Sequence, residues 1–160
     1  KVDVDGVRCE VSLSLNSGTA NGVELQAFAR GFPPMRLTRE GFAEAQAKAA
    51  GLSREVQTGD AAFDGEVYID APVVDADVLA VFSSPAVRSA TRALLRVYAL
   101  ITIDDTSLSL SGNGDTPACY RPEAIREQLA ALRVLAGAPR RTVVELTARS
   151  PAATAMVAAS

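Results

Sequence analysis

From Val7 to Leu15 the chain alternates without a break: Val7, Cys9, Val11, Leu13 and Leu15 are apolar, and Arg8, Glu10, Ser12 and Ser14 between them are polar. A period of two sends successive side chains to opposite faces, so this stretch is a half-buried strand. A strand with one apolar face needs neighbouring strands and a covering layer before it is stable. The glycine- and asparagine-rich "NSGTANG" that follows reads as a loop. Val23, Leu25 and Ala27 then alternate with Glu24 and Gln26, which predicts a hairpin.

The remaining chain mixes both periods. After Pro33-Pro34, Met35–Thr38 fits a short strand, and the alanine-rich run between Gly41 and Gly51 predicts a helix of weak apolar face. Val67 and Ile69 alternate with Glu66, Tyr68 and Asp70, a strand stopped by Pro72. Asp75 is placed to cap a short helix through Phe82, with Val78, Leu79 and Phe82 on one face. Ser84 followed by Pro85 opens a second helix striped by Val87, Ala90, Thr91, Leu94, Leu95 and Tyr98. Ile101 and Ile103, the turn Asp104-Asp105-Thr106, and Leu108 and Leu110 predict another hairpin. Pro122 starts an amphipathic helix with Ile125, Leu129, Leu132, Leu135 and Ala136 inward, ended by Gly137 and Pro139. "RTVVELTA" fits one more strand.

Hairpins without regular βαβ alternation predict an α+β fold: a mainly antiparallel sheet with three to four helices packed mostly on one face. With 160 residues, one domain over residues 1–149 is expected, with 150–160 as a small-residue tail or short helix. A chain of this size buries roughly 70% of its unfolded surface, so neither metal nor disulfides are required for folding.

Composition narrows the function. Net charge is −3 and the only basic doublet is Arg140-Arg141, which argues against nucleic acid as partner. Histidine is absent and there are two cysteines, Cys9 and Cys119. That disfavours zinc and histidine-dependent nucleophilic catalysis, and no catalytic residue or cofactor is assigned. Whether the cysteines pair is not decided by their positions; Cys9, inside the alternation, reads as a small core residue. No Gly-x-Ser-x-Gly elbow occurs, and "SGNGD" falls short of a dinucleotide-binding glycine pattern. No run reaches the roughly 18 apolar residues of a membrane span. The chain opens on Lys1 instead of methionine, as expected of a processed chain or a piece of a longer one whose preceding part could hold a signal or anchor.

The most suggestive stretch is "TGDAAFDGEVYI", Thr58 to Ile69. Asp60, Asp64 and Glu66 are candidate ligand or metal residues, but their spacing is not that of an EF-hand loop, and no Gly-Lys-Ser/Thr follows as in a phosphate loop. The competing reading is structural: turns at Gly59-Asp60 and Asp64-Gly65 with Phe63 dropped into the core between them. A second candidate is Arg88, Arg92 and Arg96, four apart on one helix. It reads as a solvated face or as a contact for an acidic partner or phospholipid head groups.

Beyond this residue reading, "TGDAAFDGEVYI", the short helix after it, "VFSSPAVRSATRALL" and the hairpin "ALITIDDTSLSL" resemble uncharacterised soluble domains of bacterial membrane-anchored proteins. Those domains carry a Gly-Asp-x-x-Phe-Asp motif opening a strand. The matching positions are Gly59, Asp60, Phe63, Asp64, Leu79, Arg88, Leu94, Ile103 and Leu110, in the middle of the chain. The resemblance implies no catalytic residues. It implies a soluble domain joined to transmembrane helices outside this chain, on the soluble face of a bacterial inner membrane protein. The expected function is a non-enzymatic interaction or sensor domain with a protein partner or self-association. The alternatives are a carboxylate-based, divalent-cation-dependent enzyme and a small anionic-lipid-binding module.

Overall fold

A computed structural model describes residues 1–4, 6–16, 19–41, 55–72, 75–111 and 117–139. Its strands are β1 (Val2–Val4), β2 (Val7–Asn16), β3 (Thr19–Phe28), β4 (Met35–Arg39), β5 (Val67–Asp70), β6 (Leu100–Ile103) and β7 (Ser107–Ser111). Its helices are α1 (Ala61–Asp64), α2 (Asp75–Val81), α3 (Pro85–Leu95) and α4 (Pro122–Ala136), with a 3₁₀ turn at Pro117–Tyr120. The fold is α+β with an antiparallel sheet, as the hairpin pattern predicts. The expected helix at 41–51, the strand in "RTVVELTA" and the tail lie almost wholly outside the described residues.

The seven strands form one sheet in the order β1-β2-β3-β7-β6-β4-β5, and every pairing is antiparallel. Register aligns the alternating residues into rows across it. Cys9, Ala27, Leu108, Ile103 and Met35 oppose one another in turn. Val11, Leu25, Leu110, Ile101, Leu37 and Ile69 make the adjacent row. Both rows belong to the core, and all but Val11 are buried. The row between them on the other face is Glu10, Gln26, Ser109, Thr102, Arg36 and Asp70, half-buried to exposed. A one-residue slip in any strand would exchange these faces, so the alternation sets the register.

The covering layer is α3 packed on α4, with α4 reaching β1, β2 and β3. Ser84 occupies the N-cap of α3 and Pro85 its first turn, although the Ser84 hydroxyl makes no capping bond. Val87, Ala90, Thr91, Leu94 and Leu95 are buried as their stripe predicts. In α4, Leu129, Leu132, Leu135 and Ala136 are buried with Gln128, Ile125 packs at the margin, and Gly137 is the C-cap.

Four expectations are corrected. The "NSGTANG" loop is mostly strand: β2 runs to Asn16 and β3 starts at Thr19, with a register shift between Ser14 and Leu15. Main-chain ladder bonds need no apolar side chains, and Gly22 opposite Ser14 fits the ladder. The hairpin therefore outruns its covering: β7 pairs β3 only over Leu25–Phe28, and Leu13 is 52% exposed. In α2 the inward face is Val78, Val81 and Phe82, with Leu79 at the surface. Asp75 is the first residue of α2 and not the residue before it. The fourth correction concerns α1 and is taken up with the site.

Cys9 and Cys119 are not joined in a disulfide. Cys9 is fully buried in the core, where burial pushes its thiol up. Among the described residues no helix is long and apolar enough to cross a membrane.

Candidate functional site

The Gly59–Glu66 loop is one helical turn where the sequence predicts a turn at Gly59-Asp60. It ends in the expected turn at Asp64-Gly65, where the Glu66 amide donates to the Phe63 carbonyl at 3.0 Å. Gly59 takes a left-handed φ of +85°, a conformation glycine reaches at no steric cost. Asp60 is the N-cap of α1: its Oδ1 accepts from the Ala62 and Phe63 amides, each at 3.2 Å. Those N–H groups have no partner inside so short a helix, which is why a carboxylate is favoured there. Phe63 does drop into the core, 1% exposed, and meets Phe82 at 5.4 Å between ring centroids, tilted by 38°.

Asp64 closes the loop from within. Its Oδ1 accepts from the Thr58 amide at 2.9 Å and the Thr58 hydroxyl at 2.7 Å, and its Oδ2 from the Gly59 amide at 3.0 Å. At 6% exposure the carboxylate is compensated by three donors from its own chain, as a buried charge must be.

The arginine stripe of α3 faces this loop. Arg88 Nε donates to Asp60 Oδ2 at 2.9 Å, and its Nη1 donates to the Phe82 carbonyl at 2.7 Å and the Ser83 carbonyl at 3.3 Å. Arg92 forks Glu66: Nε donates to Oε2 at 2.8 Å and Nη2 donates to Oε1. Arg96 is exposed, and its charge acts on Glu66 from beyond Arg92. The expectation of a solvated face is thus corrected for Arg88 and Arg92. Asp60 and Glu66 from the acid set and Arg88 and Arg92 from the arginine set form one contact.

The electrostatics follow. The Phe63 amide, and then the Arg88 guanidinium, hold the Asp60 carboxyl below the usual range. Arg92 does the same for Glu66, and Glu66 in return raises Arg92. A carboxylate held low is a weak base near neutral pH. Each oxygen of Asp60, Asp64 and Glu66 already accepts a hydrogen bond from the protein. Among the described residues no group of three acidic, Cys or His side chains is placed to hold a metal ion.

Beside the Glu66–Arg92 fork lies a shallow cleft of about 200 Å³, with Arg39, Glu40 and Arg96 on its walls. Arg39 arrives there because β4 and β5 pair Arg39 with Val67, and the Glu40 amide continues the ladder by donating to the Glu66 carbonyl at 2.9 Å. Nothing in the spacing of Arg39 and Glu66 foretells this, since it depends on which strand lies beside β5. A second, mainly apolar hollow of about 310 Å³ lies between α3 and α4, with Val97, Cys119, Ala124 and Gln128 among its lining. Gln128, which the stripe of α4 does not mark, accepts from the Tyr98 hydroxyl at 2.7 Å. Its only sequence signal is an amide one residue before Leu129 on the inward side of the helix.

No family model, curated protein or solved structure matches the chain.

Proposed function

We propose that the chain is a non-enzymatic interaction or sensor domain of a bacterial membrane-associated protein, joined to the membrane through a segment outside this chain. The observation that carries the reading is the saturation of Asp60, Asp64 and Glu66. Side chains that would have to hold a cation or accept a proton are committed to capping α1, closing the Thr58–Asp64 loop and docking α3. The Gly59-Asp60-x-x-Phe63-Asp64 motif is on this reading a folding device, which fits its resemblance to domains without assigned catalytic residues. The polar face of the sheet, or the cleft beside the loop, meets the partner or ligand.

The test is calorimetric titration of Mg²⁺ and Ca²⁺ into the parent and into Asp60→Asn. No saturable heat in either protein, with a lower melting temperature in the variant, supports the reading. Saturable binding in the parent that Asp60→Asn abolishes would overturn it in favour of a cation-dependent enzyme.

A further inference from the structure

The cleft beside Glu66 has more positive charge than its own acids use. Three arginines, Arg39, Arg92 and Arg96, and two glutamates, Glu40 and Glu66, line one hollow of about 200 Å³. Arg92 is taken by Glu66. Among the described residues neither Arg39 nor Arg96 makes an ion pair. Two arginines from unrelated elements, the end of β4 and the end of α3, therefore line the hollow outside any ion pair, beside Glu40 and an Arg92-bound Glu66, in a chain whose net charge is −3. At about 30 Å³ per water the hollow holds on the order of six waters, enough for a small tetrahedral or planar oxyanion with part of its hydration shell.

The resident fork shows what this cleft recognises. Arg92 grips the Glu66 carboxylate with two parallel N–H donors, a geometry that suits carboxylate and phosphate oxygens alike. Glu66 is half-exposed, its side chain at 47%, so it can yield to a competitor. An incoming dianion would gain Arg39 and Arg96 at once and contest Arg92 with Glu66.

We infer that the Arg39–Arg92–Arg96 cleft is a binding site for a small soluble oxyanion of the phosphate type. The inference rests on the sensor form of the proposed function and names the ligand class such a sensor would read. The two can fail separately: cation binding lost in Asp60→Asn sinks the sensor reading, whereas the anion site stands or falls on a different titration.

That titration adds inorganic phosphate to the ¹⁵N-labelled protein, followed by NMR at constant ionic strength. The expected result is a saturable shift of the Arg39, Glu66 and Arg96 amides, weakened about tenfold by Arg39→Gln or Arg96→Gln, the loss of one charge-assisted contact. Both side chains are exposed, so the variants should melt with the parent. Arg96→Lys keeps the charge but not the fork and should fall between. Glu66→Gln frees Arg92 and should tighten phosphate binding. No saturation by about 10 mM phosphate, or the same affinity in the Arg39→Gln/Arg96→Gln double variant, would overturn the site. So would binding to vesicles of phosphatidic acid in phosphatidylcholine with no response to free phosphate, because the source would then be a membrane surface.

Discussion

Arg88 and Asp60 meet at 2.9 Å across 28 residues of sequence, and each is also bonded to something else. Asp60 caps α1 with its other oxygen, while Arg88 holds the Phe82 and Ser83 carbonyls where α2 ends. The pair thereby joins α1, α2 and α3 around the Phe63–Phe82 ring contact. Arg92 and Glu66 repeat the tie one turn further along α3 with more solvent around them.

The unequal burial of the two ties sets their unequal worth. Arg88→Ala should destabilise by about 1–3 kcal/mol, since it strips donors from two carbonyls as well as from Asp60. Arg92→Ala should change little, as exposed pairs generally do. Urea unfolding of both variants checks the order. In a double-mutant cycle, Arg88→Ala with Asp60→Asn should cost less than the sum of the singles.

Asp64→Asn places an amide where three donors converge. One oxygen can still accept from Thr58, but the NH₂ group faces the Gly59 N–H. The expected loss is about 1.5–3 kcal/mol, the range for hydrogen bonds to a charged group. Hydrogen exchange should quicken first at the Gly59 amide, which loses its acceptor.

Tyr98 and Gln128 are a buried polar couple, at 0% and 7% exposure. Tyr98→Phe leaves the Gln128 oxygen without its donor and should cost about 1–2 kcal/mol, whereas Tyr98→Phe with Gln128→Leu should recover most of it. Burial pushes the Tyr98 phenol well above its ordinary range. Its contribution is complete below the ordinary value of 10.0 and is lost as pH rises through the folded value. An alkaline absorbance titration should therefore show one tyrosine ionising only as the protein unfolds.

Acid stability follows from Asp60, Glu66 and Asp104, all held below ordinary values of 3.8, 4.5 and 3.8. For Asp104 the first cause is the Thr106 amide in the β6–β7 turn. A depressed carboxyl stabilises the fold above its unfolded value and ceases to as pH falls through the folded one. With no histidine in the chain, stability should stay nearly level from pH 8 to about 5 and then decline on further acidification. A urea midpoint series in pH measures this, and Glu66→Gln should flatten the acid limb.

Period-two alternation in Val7–Val11, Val23–Ala27, Ile101–Ile103 and Leu108–Leu110 was enough to give strands, hairpins and inward faces. Pro85, Pro122 and Gly137 marked the helix ends. These are local effects, set by side-chain direction and backbone sterics within a few residues. The sequence by itself also offered the Thr58–Glu66 loop and the Arg88–Arg92–Arg96 stripe as two separate candidates. Only the tertiary structure brought them together, through ties 28 and 26 residues long. It alone placed β7 beside β3 and β4 between β6 and β5, and so carried Arg39 to the cleft. Strand order and charge pairing of this kind have no period to read. They are selected by how the whole apolar surface is buried at once, and the sign and spacing of charges along the chain do not encode which of them will share a cleft.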